Sequence, residues 1–296
     1  MSSETLSDQP EAAASHGHYL TSHDGLRIFY RDYPGPSDRT PLLCLHGLTR
    51  NSRDFEALAE RYAGTFRVIA MDFRGRGNSD RDPHPERYLP TTYAVDVIKL
   101  LDDLAIDRAI FVGTSLGGLV TMVVAAAQPQ RIAAAILNDV GPELEDAGLE
   151  RIRGYVGKGV EFGDWSEAAD YIARINGNLP ASHGPDDWLR VARRLCREHG
   201  DAVVFDYDMA IVDAFNAPAD GPAFDMWPLY RQLARVPLLI LRAEHSDLLS
   251  PSTAATMRDA APDATLVSVE GVGHAPELSE PTAVAAIDEF LRRFTG

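Results

Sequence analysis

Short apolar runs recur along the chain, and each is followed by a stretch with helical spacing. The strand-like runs are Leu42–Leu45, Arg67–Met71, Ala109–Val112, Ala133–Leu137, Pro237–Leu241 and Thr265–Val269. Most are apolar at successive positions, as strands covered by helices on both faces should be. Helical patterns fall near 52–63, 92–105, 116–127, 252–261 and 281–294. This alternation predicts an α/β fold with a mostly parallel, doubly wound sheet. Ahead of it, segments at His18–Ser22 and Leu26–Tyr33 flank Asp24-Gly25, a hairpin signal.

The alternation breaks between about Gly141 and Arg235. That stretch shows no convincing strand, has helical patterns near 146–157, 166–176 and 187–198, and holds all three tryptophans, Trp165, Trp188 and Trp227. Pro142, Gly163, Pro180, Pro185, Pro218 and Pro222 punctuate it. It reads as a helical lid, residues 141–235, inserted between two strands and covering the carboxyl edge of the sheet, where open α/β folds bind ligands. The core is then 18–140 plus 236–296. Residues 1–17, polar and rich in Ala and Ser, read as a disordered tail.

Composition narrows the classes of function. With 296 residues, 45% of them hydrophobic, the chain can bury a large core. A formal net charge of -16 offers no footprint for a phosphate backbone, which argues against nucleic acid or an anionic membrane as partner. No apolar run approaches the roughly 18 residues of a membrane span, and no apolar leader is present, so a cytoplasmic location is expected. The two cysteines make no disulfide framework; Cys44 sits in an apolar run and reads as a core residue. No Cys/His spacing suits a metal, and Gly75-Arg76-Gly77 lacks the rest of a dinucleotide fingerprint, so neither metal nor cofactor is expected.

The strongest chemical motif is Gly113-Thr114-Ser115-Leu116-Gly117, between a buried strand and a helix. A sharp strand-to-helix turn leaves no room for side chains beside a nucleophile, which explains the two glycines. Ser115 is the expected nucleophile, and a serine hydroxyl needs a base in reach. His274, in the loop Gly271-Val272-Gly273-His274-Ala275 after the last strand, is preferred over His46 and His245. For the orienting acid, Asp247 is preferred, in the loop after Pro237–Leu241; Asp139 and Glu244 are competitors. The order Ser115, Asp247, His274 is that expected of this architecture. Backbone N–H groups of Leu48, in the glycine turn after Leu42–Leu45, and of Leu116 are the expected oxyanion donors.

Taken in order, Leu45-His46-Gly47-Leu48, Asp72-Phe73-Arg74-Gly75-Arg76-Gly77-Asn78-Ser79, Gly113 to Gly118, Glu244-His245-Ser246-Asp247 and Gly273-His274 resemble the α/β-hydrolase superfamily over residues ~19–296. The similarity is to its lid-bearing group, which includes bacterial carboxylesterases and carbon–carbon bond hydrolases. The resemblance implies that Asp72 to Ser79 is a structural loop in which Arg74 supports the active-site wall, and that the lid begins near Asn138-Asp139-Val140. Relatives that dehalogenate or open epoxides carry aspartate where this chain has Ser115, so acyl-enzyme chemistry is implied. The expected activity is hydrolysis of a carboxylic ester of a medium-sized, partly apolar small molecule, with Trp165, Trp188 and Trp227 as candidate contacts. Cleavage of a ring-cleavage dione, lactone hydrolysis, and a non-hydrolytic receptor, lyase or oxygenase are the alternatives. Nothing in the sequence sets the oligomeric state.

Overall fold

Residues 16–177, 179–217 and 225–295 are described in the structure, a computed structural model. Strands β1 (His16–Thr21), β2 (Arg27–Tyr33), β3 (Leu42–Leu45), β4 (Val68–Met71), β5 (Ala109–Thr114) and β6 (Ile132–Asn138) precede the insertion. Within it lie β7 (Glu161–Phe162), β8 (Cys196–His199) and β9 (Ala202–Phe205); β10 (Leu238–Ala243) and β11 (Ala264–Val269) follow. Among the described residues, eight strands form one sheet in the order β1-β2-β4-β3-β5-β6-β10-β11. All pairings from β4 through β11 are parallel, and β1 and β2 form the antiparallel edge.

The buried runs explain the layering. Every residue of β3, β4 and β6 is buried, because both faces of the sheet are covered. The two faces divide by alternation. Leu43, Leu45, Ile69, Met71 and Phe111 join one core with helices α2 (Pro90–Asp103) and α3 (Leu116–Ala127). Leu42, Cys44, Val68, Ala70, Ile110 and Val112 join the other with Leu58 and Tyr62 of the short helix α1 (Glu56–Tyr62), and with the C-terminal helix Pro281–Leu291. Burial among these side chains raises the Cys44 thiol pKa well above its ordinary value. The expected hairpin is present, with Gly25 at φ 91° in the turn.

The tail expectation meets the structure at one point: residues 1–15 lie outside the described residues, but His16 and Gly17 already belong to β1. Among the described residues no helix is long and apolar enough to cross a membrane.

The insertion is not purely helical, which corrects the sequence reading. Among the described residues, five helices run through it at Asp146–Tyr155, Trp165–Ile175, Pro185–Leu195, Ile211–Asn216 and Trp227–Leu233. Alongside them β7, β9 and β8 form a small antiparallel sheet in that order. Its hairpin pairs His199 with Ala202 around Gly200-Asp201, with Gly200 at φ 60°. Gly-Asp is itself a two-residue hairpin signal. The helical period just before Cys196 masked it. Pro218 and Pro222 fall outside the described residues.

The loop Asp72 to Ser79 is held by a buried charge network. Arg74, 2% exposed, pairs with Asp96 (1%), Asp82 (0%) and Asp24 (30%). Removing the arginine would strand two buried carboxylates, so Arg74→Leu is expected to cost about 3–5 kcal/mol of unfolding free energy in urea titration. A loss below about 1 kcal/mol would show that water reaches Asp82 and Asp96.

Candidate active site

Ser115 ends the turn between β5 and α3 with φ 50° and ψ -117°, a strained backbone that directs the side chain off the sheet edge. The packing around it explains the glycines. A Cβ on Gly117 would stand 1.9 Å from the Leu45 carbonyl oxygen, and one on Gly113 2.7 Å from the Gly117 backbone. One on Gly118 would meet Val140 Cγ1 at 2.3 Å. The Ser115 N–H is donated to the Asn138 carbonyl at 3.1 Å, which ties the turn to the end of β6.

His274 lies within reach, its Nε2 3.0 Å from Ser115 Oγ. Its Nδ1 is 2.8 Å from a carboxylate oxygen of Asp139. With Nδ1–H donated to that acid, Nε2 is left to accept from the serine. Asp139 follows β6 at φ 55°, a left-handed conformation that aspartate tolerates better than most residues. It is fully buried. Its N–H is donated to the Leu241 carbonyl at 2.8 Å, and its Oδ1 accepts the Ala243 N–H at 3.0 Å.

The acid beside His274 is therefore Asp139, and the expectation of Asp247 is corrected. The loop after β10 turns Asp247 toward the insertion. There Arg151 donates to Oδ1 at 2.9 Å and to Oδ2 at 2.5 Å, and the Asp247 carbonyl accepts the Gly148 N–H at 2.9 Å. Burial works to raise the Asp247 pKa, but Arg151 outweighs it and, with the nearby His274, holds it below the ordinary aspartate range. Glu244 instead accepts the Gly271 N–H at 2.8 Å and holds the histidine loop.

His46 is excluded as the base by its own partners. Its Nε2 accepts the Phe73 N–H at 3.0 Å, so its Nδ1–H is donated to the Gly47 carbonyl at 2.7 Å. Burial lowers its pKa to about 3, which keeps the ring neutral. His245 is half-exposed, beside Glu244.

The two N–H groups expected to meet an oxyanion flank this site. Leu116 opens α3, where the first N–H groups have no intrahelical partner. Leu48 lies in the loop after β3, and its carbonyl accepts Arg76 Nε at 2.9 Å. From the Asp72–Ser79 loop it is thus the Arg76 side chain that reaches this wall, beside the Phe73 N–H donated to His46, while Arg74 points to its three aspartates, which corrects the role implied for Arg74.

A cavity of about 70 Å³ opens on Ser115 and His274 between the core loops and the insertion. Gly47, Leu48, Arg50 and Phe55 line it from the core. From the insertion come Ile152, Tyr155, Ile175, Asn176, Arg194, Leu195 and Phe205. The expected lid contacts are mostly not met. Trp165 donates to Glu198 at 3.1 Å and Trp227 to Glu143 at 2.6 Å, both away from the cavity. Trp188 lies against His183 in a small adjoining space of about 20 Å³ that shares Arg50, Asn176, His274 and Glu277 with the main cavity. Helical periodicity cannot say which face of an inserted helix meets a distant serine, so the true lining residues carried no signal.

Comparison with known proteins decides the family. Residues 42–287 match the signature of the alpha/beta hydrolase family. The chain belongs to that family. A 3-hydroxybutyrate-oligomer hydrolase of Cupriavidus necator is 31% identical to this hydrolase over 91% of the chain and 93% of the relative. A 2-(acetamidomethylene)succinate hydrolase of Mesorhizobium japonicum is 32% identical over 84% and 87%. The crystal structure of an alpha/beta hydrolase from Novosphingobium aromaticivorans is 49% identical, with a TM-score of 0.90 over 96% of this hydrolase and 100% of that chain.

Proposed function

We propose that this hydrolase cleaves a short carboxylic ester through an acyl-enzyme on Ser115. The observation that carries the reading is the continuous chain from Asp139 through His274 to Ser115, at 2.8 and 3.0 Å, on the wall of a cavity beneath the insertion. The relative from Cupriavidus necator adds support, since units of a hydroxybutyrate oligomer are joined by ester bonds.

In the first half-reaction His274 Nε2 takes the Ser115 proton as Oγ bonds to the ester carbonyl carbon. The carbonyl oxygen becomes an oxyanion that accepts the N–H groups of Leu48 and Leu116, each worth about 3 kcal/mol to the transition state. His274 then passes its proton to the leaving alcohol oxygen as the carbon–oxygen bond breaks. In the second half a water gives a proton to His274 and its oxygen bonds to the acyl carbon. The proton returns to Ser115 as the acid is released. Asp139 keeps the imidazole in the productive tautomer and stabilises its cation.

Size points to a small substrate. A free volume of about 70 Å³ lies well below the ~300 Å³ at the low end of ligand pockets. Intact-mass labelling with a serine-reactive phosphonate should add one adduct to the wild-type protein. Turnover of p-nitrophenyl esters should fall steeply beyond butyrate. Absence of an adduct together with absence of ester turnover would overturn the reading, and a maximum at octanoate would overturn the small-substrate part alone. The Mesorhizobium japonicum relative, named for a substrate bearing an acetamido group, supports a second reading, in which the same three residues cleave an acyl bond other than an ester.

A further inference from the structure

Two guanidinium groups share the cavity with Ser115, and the proposed reaction uses neither. Arg50 follows the oxyanion loop, with its N–H donated to the Gly47 carbonyl at 3.2 Å. A Cβ on Gly47 would stand 3.3 Å from Arg50 Cγ and 3.7 Å from Ser115 Cβ, so the arginine stem and the nucleophile flank the same glycine. Arg194 reaches the cavity from the end of the helix Pro185–Leu195.

Both side chains are anchored on one edge only. Arg50 gives its Nε to Asp54 at 2.6 Å, and among the described residues its Nη1 and Nη2 have no hydrogen-bond acceptor. Arg194 gives Nη2 to Glu277 at 2.7 Å, and its Nε is buried without a partner. Burial works to lower the Arg50 pKa, but Asp54 outweighs it and keeps the pKa above the ordinary value. Burial likewise works to raise Glu277, and Arg194 holds it below the ordinary glutamate range. The two anchoring pairs are therefore charged and locally balanced. In a chain of net charge -16, charged donors left open beside a nucleophile are a local device for an anion, because the long-range field repels one. Open guanidinium edges match a carboxylate, which accepts two parallel N–H bonds.

We propose that the ester hydrolysed at Ser115 carries a free carboxylate, seated on the open edge of Arg50 with Arg194 beside it. This rests on the ester reading above. The small cavity sets the reach: the carboxylate and the scissile carbonyl are separated by a few bonds, as in half-esters of short dicarboxylic acids or esters of short hydroxy acids.

The test compares monoethyl succinate, glutarate and adipate with the corresponding diethyl esters, alongside p-nitrophenyl acetate. The wild-type protein is expected to favour at least one half-ester over its diester by about 10- to 100-fold in kcat/KM, the range of a hydrogen-bonded charged contact. The preference should reside in KM. Arg50→Gln should erase it, Arg50→Lys should restore part of it, and Arg194→Gln should weaken it. Circular dichroism and the phosphonate adduct on Ser115 report whether each variant is folded. Diesters turned over as well as every half-ester would overturn the proposal, as would a preference that survives both glutamine variants. Either result with p-nitrophenyl acetate still hydrolysed leaves the ester reading standing. Loss of all ester turnover and of the adduct in the wild type would instead overturn the ester reading itself.

Discussion

Replacing Ser115 by alanine is expected to lower kcat by about 10⁴-fold or more, because a nucleophile, its base and the orienting acid act as a unit. The variant should keep its fold. Alanine occupies the strained φ of 50° at no greater steric cost than serine, and the hydroxyl lost makes one side-chain hydrogen bond, to His274. The oxyanion donors and the cavity would remain, so a residual rate above the uncatalysed reaction is expected. Turnover of p-nitrophenyl acetate by highly purified variant, with intact-mass labelling by phosphonate, gives the readout. The adduct should vanish along with activity. Turnover within tenfold of wild type would remove Ser115 from the chemistry and leave the bent elbow as a structural turn.

Ser115 was legible because its demands are local. The glycines at 113 and 117 are forced by contacts within the turn and with Leu45, so the motif reports its own geometry. His274 was legible for a related reason, since it stands in the loop that follows the last strand, which must return across the sheet edge. The acid was different. Strands β6 and β10 are neighbours, and each is followed by an aspartate, Asp139 one residue beyond its strand and Asp247 four beyond. Sequence order favours the second. The choice is made by contacts that no local pattern carries: the left-handed turn at Asp139, the Ala243 N–H that fixes its carboxylate, and Arg151, which draws Asp247 to the insertion. Three of the insertion's helices followed from their period; those at Ile211–Asn216 and Trp227–Leu233 are too short to show one, and the contributions of Tyr155, Arg194 and Phe205 to the cavity depend on how the insertion folds back.

Asp139→Asn is expected to lower kcat by about 10⁴-fold with little change in fold, the magnitude that follows when a triad acid loses its charge but keeps its shape. The substitution is nearly isosteric, and the amide oxygen can still accept the Ala243 N–H that Oδ1 accepts at 3.0 Å. The amide nitrogen then faces His274 Nδ1, where it donates rather than accepts. That selects the tautomer with the proton on Nε2, which cannot take one from Ser115. Asp247→Asn should behave otherwise. Its side chain is 31% exposed and its partner Arg151 27%, so the pair contributes on the order of 1 kcal/mol or less to stability. Removing the charge should change kcat by less than about tenfold, through the loss of a negative charge near the imidazolium and a weaker tie between lid and core. Parallel kcat measurements on the two variants, with urea unfolding to match their stabilities, discriminate the assignments. A 10³-fold or larger loss in Asp247→Asn with near-normal turnover in Asp139→Asn would restore Asp247 as the orienting acid. Large losses in both would mean that the imidazolium depends on both carboxylates, and that the Arg151–Asp247 contact couples lid position to the charge on His274.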